Sequence, residues 1–250
     1  MFKVSVAGLV VFVTGANRRN GIGRALVEEA IKRGAKKVYA TARNIAQLDD
    51  LVARFQEKVV PIELDVTNLE HIQRAAQRAN DTQVLVNNAG APGFSGCIYN
   101  YDENRARQQM EVNYFGPLRL INAFAKKLIK NGNGAIVNII SIGGLYPSPE
   151  LITYSASKAA LYSLTRSVRI EMMKHSHSIP VFGVYPGPID TGMKGIYAKI
   201  ESPANVAIRV FDGMESGTID ITTDPLSDNF AGYLRTDTKI IDTLKEAVSK

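Results

Sequence analysis

The sequence contains no tryptophan, only one cysteine, Cys97, and only three histidines. One thiol cannot close an internal disulfide, so a disulfide-stapled scaffold is excluded and a reducing, cytoplasmic setting is expected. His71, His175 and His177 share no metal-ligand spacing with Cys97, so no metal is expected. No apolar run reaches the roughly eighteen residues of a membrane-spanning helix, and no membrane partner is expected. The apolar stretch Leu9–Val13 leads directly into Thr14-Gly15-Ala16, which reads as a strand entering a loop, not as a signal peptide. Linkers rich in Gly, Ser or Pro, low-complexity tracts and internal repeats are also missing. The 250 residues are therefore expected to form one domain.

The net charge is +6, but its carriers are scattered as pairs such as Arg18-Arg19, Lys36-Lys37 and Lys126-Lys127. No basic stripe interleaves with aromatics, so nucleic acid is not an expected partner. A modest positive field would suit an anionic cofactor, although a solvated basic surface explains most of these charges equally well.

What is present is an alternation of strand and helix. Leu9–Val13 is a continuous apolar run of the kind found in strands buried on both faces. Ile22–Arg33 follows with helical spacing at Ile22, Ala25, Leu26 and Ala30, and Gly34 ends it. The same unit recurs as strand at Val38–Thr41, Val59–Leu64, Val84–Val86, Ala135–Ile140, Val181–Tyr185 and Thr218–Thr222. Helices are expected over Ile45–Phe55, Asn68–Asn80, Glu103–Leu128, Tyr154–Met173 and Pro203–Gly213, with a disturbance at Gly116-Pro117. Pro61 marks the third strand as an edge or irregular position. This succession predicts an α/β fold, a Rossmann-like doubly wound parallel sheet of about seven strands with helices on both faces. Residues 192–204 read as a substrate lid and 224–250 as a C-terminal tail, helical over Lys239–Val248.

Between the first strand and helix lies Thr14-Gly15-Ala16-Asn17-Arg18-Arg19-Asn20-Gly21-Ile22-Gly23. Glycines there let the backbone turn sharply and approach a pyrophosphate, while the helix start offers free N–H groups and a positive dipole end. An ordinary βα loop is the competing reading, but it rarely needs three glycines. A ribose 2′-hydroxyl is usually held by an acid about twenty residues on. Here the second strand ends Thr41-Ala42-Arg43, with no acid. A 2′-phosphate calls for a guanidinium instead, so Arg43, with Arg18 or Arg19, favours NADP(H) over NAD(H).

Tyr154 and Lys158 are four residues apart and share one helix face. An ammonium beside a phenol lowers its pKa and equips it for general acid–base work. Ser141 ends the fifth strand, where ligand crevices of such sheets open. A Tyr-x-x-x-Lys pair by itself is common on solvated helices. Together with Ser141 and the glycine turn it becomes specific.

At this point the sequence resembles the short-chain dehydrogenase/reductase family, almost throughout to about residue 222. The residues that carry the resemblance are the glycine turn, Asp65-Val66, Asn87-Asn88-Ala89-Gly90, Asn113 within Val112–Gly116, Ser141, Tyr154-Ser155-Ala156-Ser157-Lys158 and Pro186-Gly187-Pro188-Ile189-Asp190-Thr191. The resemblance implies Tyr154 as acid–base, Ser141 as the group polarising the carbonyl, Lys158 on the ribose and lowering the Tyr154 pKa, and Asn113 holding a water of a proton relay. It implies that Gly15, Asn17, Arg18, Arg19, Gly21, Ile22 and Gly23 meet the phosphates. Asp65 and Val66 would lie at the adenine, Asn88, Ala89 and Gly90 at the adenosine ribose. Pro186, Gly187, Ile189 and Thr191 would lie at the nicotinamide. A homodimer or homotetramer is implied as well. One departure stands out. The family's turn has three residues between its first two glycines, whereas Ala16–Asn20 supplies five.

The pocket rim is expected from Ala91–Phe94, Ile142–Tyr146 and Met193–Tyr197, which suits a hydrophobic ketone, aldehyde or alcohol. Two other readings compete. A non-catalytic dinucleotide sensor on the same fold would not need all four catalytic positions. A nucleotide-sugar epimerase or dehydratase would need a larger C-terminal domain than the residues after the sixth strand can build.

Overall fold

The computed structural model describes residues 3–175, 179–189 and 200–235. Its centre is a seven-stranded parallel sheet in the order β3-β2-β1-β4-β5-β6-β7. The strands are β1 (Val10–Val13), β2 (Lys37–Ala42), β3 (Val59–Glu63), β4 (Val84–Asn87), β5 (Ala135–Ile139), β6 (Val181–Tyr185) and β7 (Asp220–Thr222). Every residue of β1, β4, β5 and β6 is buried, because helices cover both faces. Their near-continuous apolar runs follow from that double cover.

Alternate side chains feed two cores. On one face Val11, Val13, Val38 and Val137 pack with Leu26, Val27 and Ala30 of α1 (Ile22–Lys32) and with Val206, Val210, Phe211 and Met214 of α7 (Pro203–Ser216). On the other, Val10, Phe12, Leu85 and Ile136 meet three helices: α3 (Leu69–Arg78), α5 (Gly116–Asn131) and α6 (Ile152–His175). The second and fourth helices, α2 (Asp49–Phe55) and α4 (Glu103–Met110), are short. The strand order reverses between β1 and β4, and the carboxyl ends of these strands frame the crevice where such sheets bind ligands.

The strands match the sequence expectation in number and order, and the helices follow it in order, with shifts at their ends. The helix expected over Ile45–Phe55 begins as a 3-10 turn, Ile45–Leu48, capped by Asn44. Asn68 is not the first residue of α3 but its cap, accepting N–H bonds from Glu70 at 2.9 Å and His71 at 3.2 Å. The edge position inferred from Pro61 is where β3 lies. The long helix expected from Glu103 is interrupted at Glu111–Phe115, which forms a π-helical turn, and not at Gly116-Pro117. Pro117 sits in the first turn of α5, where its missing N–H costs little.

The expected lid and tail lie partly within the described residues. Ile189 bridges Glu201, Ser202 caps α7, and residues 203 and 204 already belong to that helix. Residues 190–199, with Thr191 and the Met193–Tyr197 rim, lie outside the described residues. Of the tail, Asp224 caps α8 (Pro225–Asp228), and Leu234 is buried with Ile140, Leu161 and Tyr185. The helix expected at Lys239–Val248 lies outside the described residues.

A buried ion pair ties α6 to the last two strands. Arg169 forks onto Asp220 at 2.9 and 3.2 Å and donates to the carbonyls of Val181 at 3.0 Å and Ile219 at 3.1 Å. Tyr185 donates to the same carboxylate at 2.9 Å.

Candidate active site

The glycine turn is fastened to the end of β4. The Thr14 hydroxyl accepts the N–H groups of Asn88 and Ala89, both at 2.8 Å. The Asn88 amide donates back to the carbonyls of Thr14 at 2.8 Å and Gly15 at 3.2 Å. Gly15 turns with φ of +71°. At Gly23 a β-carbon would stand 2.4 Å from both the Asn88 amide nitrogen and the Gly15 carbonyl oxygen. The Asn88 side chain thus latches the turn.

The two added residues are taken up locally. Gly21 N–H donates to the Arg18 carbonyl at 3.0 Å, closing a turn over Arg18–Gly21. Gly21 then begins α1 with no side-chain cap and no acid in the first turn. An uncapped helix start behind a glycine cradle fits a pyrophosphate. Arg19 is drawn to Asp50 at 3.5 Å, and Arg24 holds the same carboxylate at 2.6 and 3.0 Å. Hydrogen bonding from Arg24 keeps the Asp50 carboxyl below its ordinary range. Asn17 donates to Gln47 at 3.1 Å across the shallow depression they line with Arg19 and Asp50. Arg18 and Arg43 are exposed, and neither has an ion-pair partner among the described residues. Asp65 accepts the Thr67 amide at 2.9 Å and hydroxyl at 2.7 Å, while Val66 is buried under Gly116.

Ser141 lies two residues beyond β5 and caps the 3-10 turn Ile142–Gly144, accepting Gly143 N–H at 3.0 Å. Its hydroxyl donates to the Pro186 carbonyl at 3.3 Å. Tyr154 and Lys158 stand one turn apart near the start of α6, with the ammonium 5.7 Å from the centre of the phenol ring. Lys158 Nζ donates to the Ile139 carbonyl at 2.9 Å and is 4% exposed. A β-carbon on Gly90 would come within 3.9 Å of that ammonium and 3.5 Å of the Asn113 carboxamide oxygen, so the three positions converge.

Burial governs the titration here. It pushes the Lys158 ammonium down to about 8. It also raises the Tyr154 phenol, against the opposing effect of the Ser141 hydroxyl. The lowering expected from Lys158 is not found: its ammonium stands 5.7 Å from the ring centre, and burial and the Ser141 hydroxyl alone set the Tyr154 shift.

Asn113 is fully buried in the π turn. Its carboxamide accepts Ala91 N–H at 2.8 Å and donates to the Ala91 carbonyl at 3.2 Å and to Ser157 Oγ at 2.8 Å. Ser157 donates in turn to the Tyr154 carbonyl at 2.7 Å. Sequence reasoning missed Ser157 as a participant; the only available signal was its place between Tyr154 and Lys158. It also missed Gln109, fully buried, which donates to the Gly93 carbonyl at 3.2 Å and accepts the Thr153 hydroxyl at 2.5 Å, beside Tyr154. Ser155 is buried next to Gly143, and its hydroxyl has no partner among the described residues. Of the expected rim, Phe94 and Tyr146 are exposed, and Ile142 and Leu145 are half-buried.

A parallel sheet with a glycine turn at its switch point, and Tyr154, Lys158, Ser141 and Asn113 near the same strand ends, is the arrangement expected of a nucleotide-dependent oxidoreductase. The chain belongs to the short chain dehydrogenase family, whose model matches residues 9–200. A short chain dehydrogenase of Monascus ruber is 32% identical over 205 residues, covering 77% of this chain and 66% of that protein. The crystal structure of a short chain dehydrogenase from Burkholderia cenocepacia in complex with NADP is 36% identical, has a TM-score of 0.85, and is covered over 97% of this chain and 99% of its own. A short chain dehydrogenase/reductase from Burkholderia phymatum in complex with NAD has a TM-score of 0.80 at 21% identity, covering 96% of each chain, and shares the fold. Among the described residues no helix is long and apolar enough to cross a membrane.

Proposed function

We propose that the protein moves a hydride between NADP(H) and a carbonyl/alcohol pair, on a hydrophobic ketone or aldehyde in the reducing direction. The observation that carries this reading is the convergence of Lys158 and Asn113 on Gly90, with Tyr154 one helical turn from Lys158, Ser141 facing Pro186, and the start of α1 uncapped. The nicotinamide dinucleotide, when bound, supplies or accepts the hydride. Gly15, Gly21, Ile22 and Gly23 hold its phosphates, Lys158 and Tyr154 its ribose, and Pro186, Gly187 and Ile189 its nicotinamide side.

The protein's own work is proton transfer and positioning. The Tyr154 phenol, whose pKa burial raises further, donates its proton to the substrate oxygen. Ser141 turns its hydroxyl from the Pro186 carbonyl to that same oxygen and polarises it. Lys158, an ammonium below about pH 8, steadies the phenolate left behind. Asn113 is assigned the water of a proton relay.

NADP(H) is favoured by two exposed guanidinium groups, Arg43 and Arg18, by the lack of an acid directly after β2, and by the NADP complex of the 36%-identical Burkholderia cenocepacia structure. We assign residues 1–250 to one dinucleotide-binding domain acting in the cytoplasm as a homodimer or homotetramer, which light scattering would test.

The test is loss of nicotinamide absorbance with NADPH and a panel of aldehydes and ketones, run against NADH. Turnover with NADPH that exceeds turnover with NADH is expected. Faster turnover with NADH would overturn the cofactor assignment. Binding of dinucleotide with no turnover of any carbonyl in the panel would favour the non-catalytic sensor.

A further inference from the structure

Asp224 begins a four-residue helix and is 3% exposed. Its two carboxylate oxygens do different things. Oδ1 accepts the N–H groups of Leu226 at 3.1 Å and Ser227 at 2.9 Å, which caps α8. Oδ2 accepts the Gly187 N–H at 2.7 Å and the Thr223 hydroxyl at 3.1 Å. The bond to Gly187 crosses 37 residues of chain and contributes nothing to the cap.

Gly187 N–H belongs to the same peptide unit as the Pro186 carbonyl. That carbonyl accepts Ile142 N–H at 3.0 Å and the Ser141 hydroxyl at 3.3 Å. One rigid amide plane is therefore gripped from both sides, by Asp224 at its nitrogen and by the Ser141 turn at its oxygen. The grip leaves no space at Gly187, where a β-carbon would stand 2.5 Å from Asp224 Oδ1. A carboxylate on the N–H end also polarises the amide and makes the Pro186 oxygen a stronger acceptor for Ser141.

We infer that Asp224 is a positioning residue that sets the Pro186–Gly187 peptide, and through it the nicotinamide side of the cofactor site and the direction of the Ser141 hydroxyl. The inference rests on the dinucleotide reading above. Asp224→Asn separates the two jobs. Its single amide oxygen satisfies the two N–H groups of the cap, and its NH2 then faces Gly187 N–H, donor against donor.

The experiment is calorimetric titration of the full-length protein and of Asp224→Asn with two ligands, NADPH and 2′-phospho-ADP-ribose, which lacks the nicotinamide ring. The expected result is a loss of about tenfold for NADPH, the value of one charge-assisted hydrogen bond, with the fragment changed by less than about twofold. Equal weakening of both ligands would mean a fold-wide effect and overturn the inference, as would unchanged binding of both. Ser227→Ala weakens the cap without touching the Gly187 bond, so the same split in that variant would also overturn it. Should Asp224→Asn not fold, Gly187→Ala displaces the carboxylate from the loop side and is expected to give the same split. Failure of the unaltered protein to bind either NADPH or NADH would overturn the dinucleotide reading and this inference together.

Discussion

The buried carboxamide of Asn113 reaches the hydroxyl of Ser157 at 2.8 Å, and so joins the π turn after α4 to the first turns of α6. Because Ser157 passes the bond on to the Tyr154 carbonyl at 2.7 Å, the backbone of the proposed acid is tied to the loop after β4. Ser157→Ala leaves the Asn113 nitrogen with one weaker bond, to the Ala91 carbonyl at 3.2 Å. The variant is expected to lose about 1–3 kcal/mol in urea unfolding. A loss well under this range would show that Asn113 does not depend on Ser157.

Lys158 predicts a pH signature. Its folded pKa of about 8 lies below the ordinary value of 10.5 because burial penalises the charge. Between these values the unfolded chain holds a proton that the folded protein has released, so stability from this group rises with pH. The buried ammonium costs roughly 3 kcal/mol below pH 8, and the penalty fades as pH approaches 10.5. Lys158→Met is therefore expected to unfold at higher urea than the unaltered protein at pH 7, with a gap that narrows by pH 9.5. A constant gap would contradict the assignment.

Cofactor choice should respond to one side chain. Arg43 is exposed, has no ion-pair partner among the described residues, and follows β2 directly. Arg43→Ser is expected to weaken NADPH about tenfold or more and to leave NADH within about twofold, since only the 2′-phosphate meets the guanidinium. Fluorescence titration with both cofactors measures the ratio. Parallel weakening of the two would remove Arg43 from the specificity site.

The Arg169–Asp220 pair is buried on both sides, at 6% and 7% exposure. Arg169→Met withdraws the guanidinium from a carboxylate that water does not reach, a change worth about 3–5 kcal/mol in unfolding free energy. Arg19→Ala is the contrast. Its ion pair with Asp50 has an 83% exposed arginine, so stability should not change measurably. If Arg169→Met unfolded at the same denaturant concentration as the parent, the pair would have no structural weight.

Much of this was legible beforehand. The strands β1, β4, β5 and β6 announce themselves because a strand covered on both faces is apolar at nearly every position, with Asn87 and Asn138 the buried polar exceptions. Tyr154 and Lys158 were legible through one helical turn, and Ser141 through its place at a strand end. The rest depends on partners far along the chain. Asp224 read as part of a tail because its key partner, Gly187, is 37 residues away. The ion pair of Arg19 with Asp50 of α2 joins residues 31 apart and had no signal in the sequence. The latch of the Asn88 amide on the Thr14 and Gly15 carbonyls, more than 70 residues back along the chain, had no signal in the sequence either. The π turn has no composition signal, and the helix disturbance was expected at Pro117, the visible irregularity.

That π turn has a consequence for chain length. A π turn carries one residue more than the α-helical ladder requires, and each residue turns a helix by about 100°. Deleting any single residue between Glu111 and Phe115 would let α4 and α5 fuse into a regular and better hydrogen-bonded helix. The fused helix would also rotate Asn113 away from Ala91 and Ser157. At this point, therefore, sequence drift has a forbidden step: substitutions can be absorbed one at a time, but a one-residue shortening that improves the helix would dismantle the site it passes through.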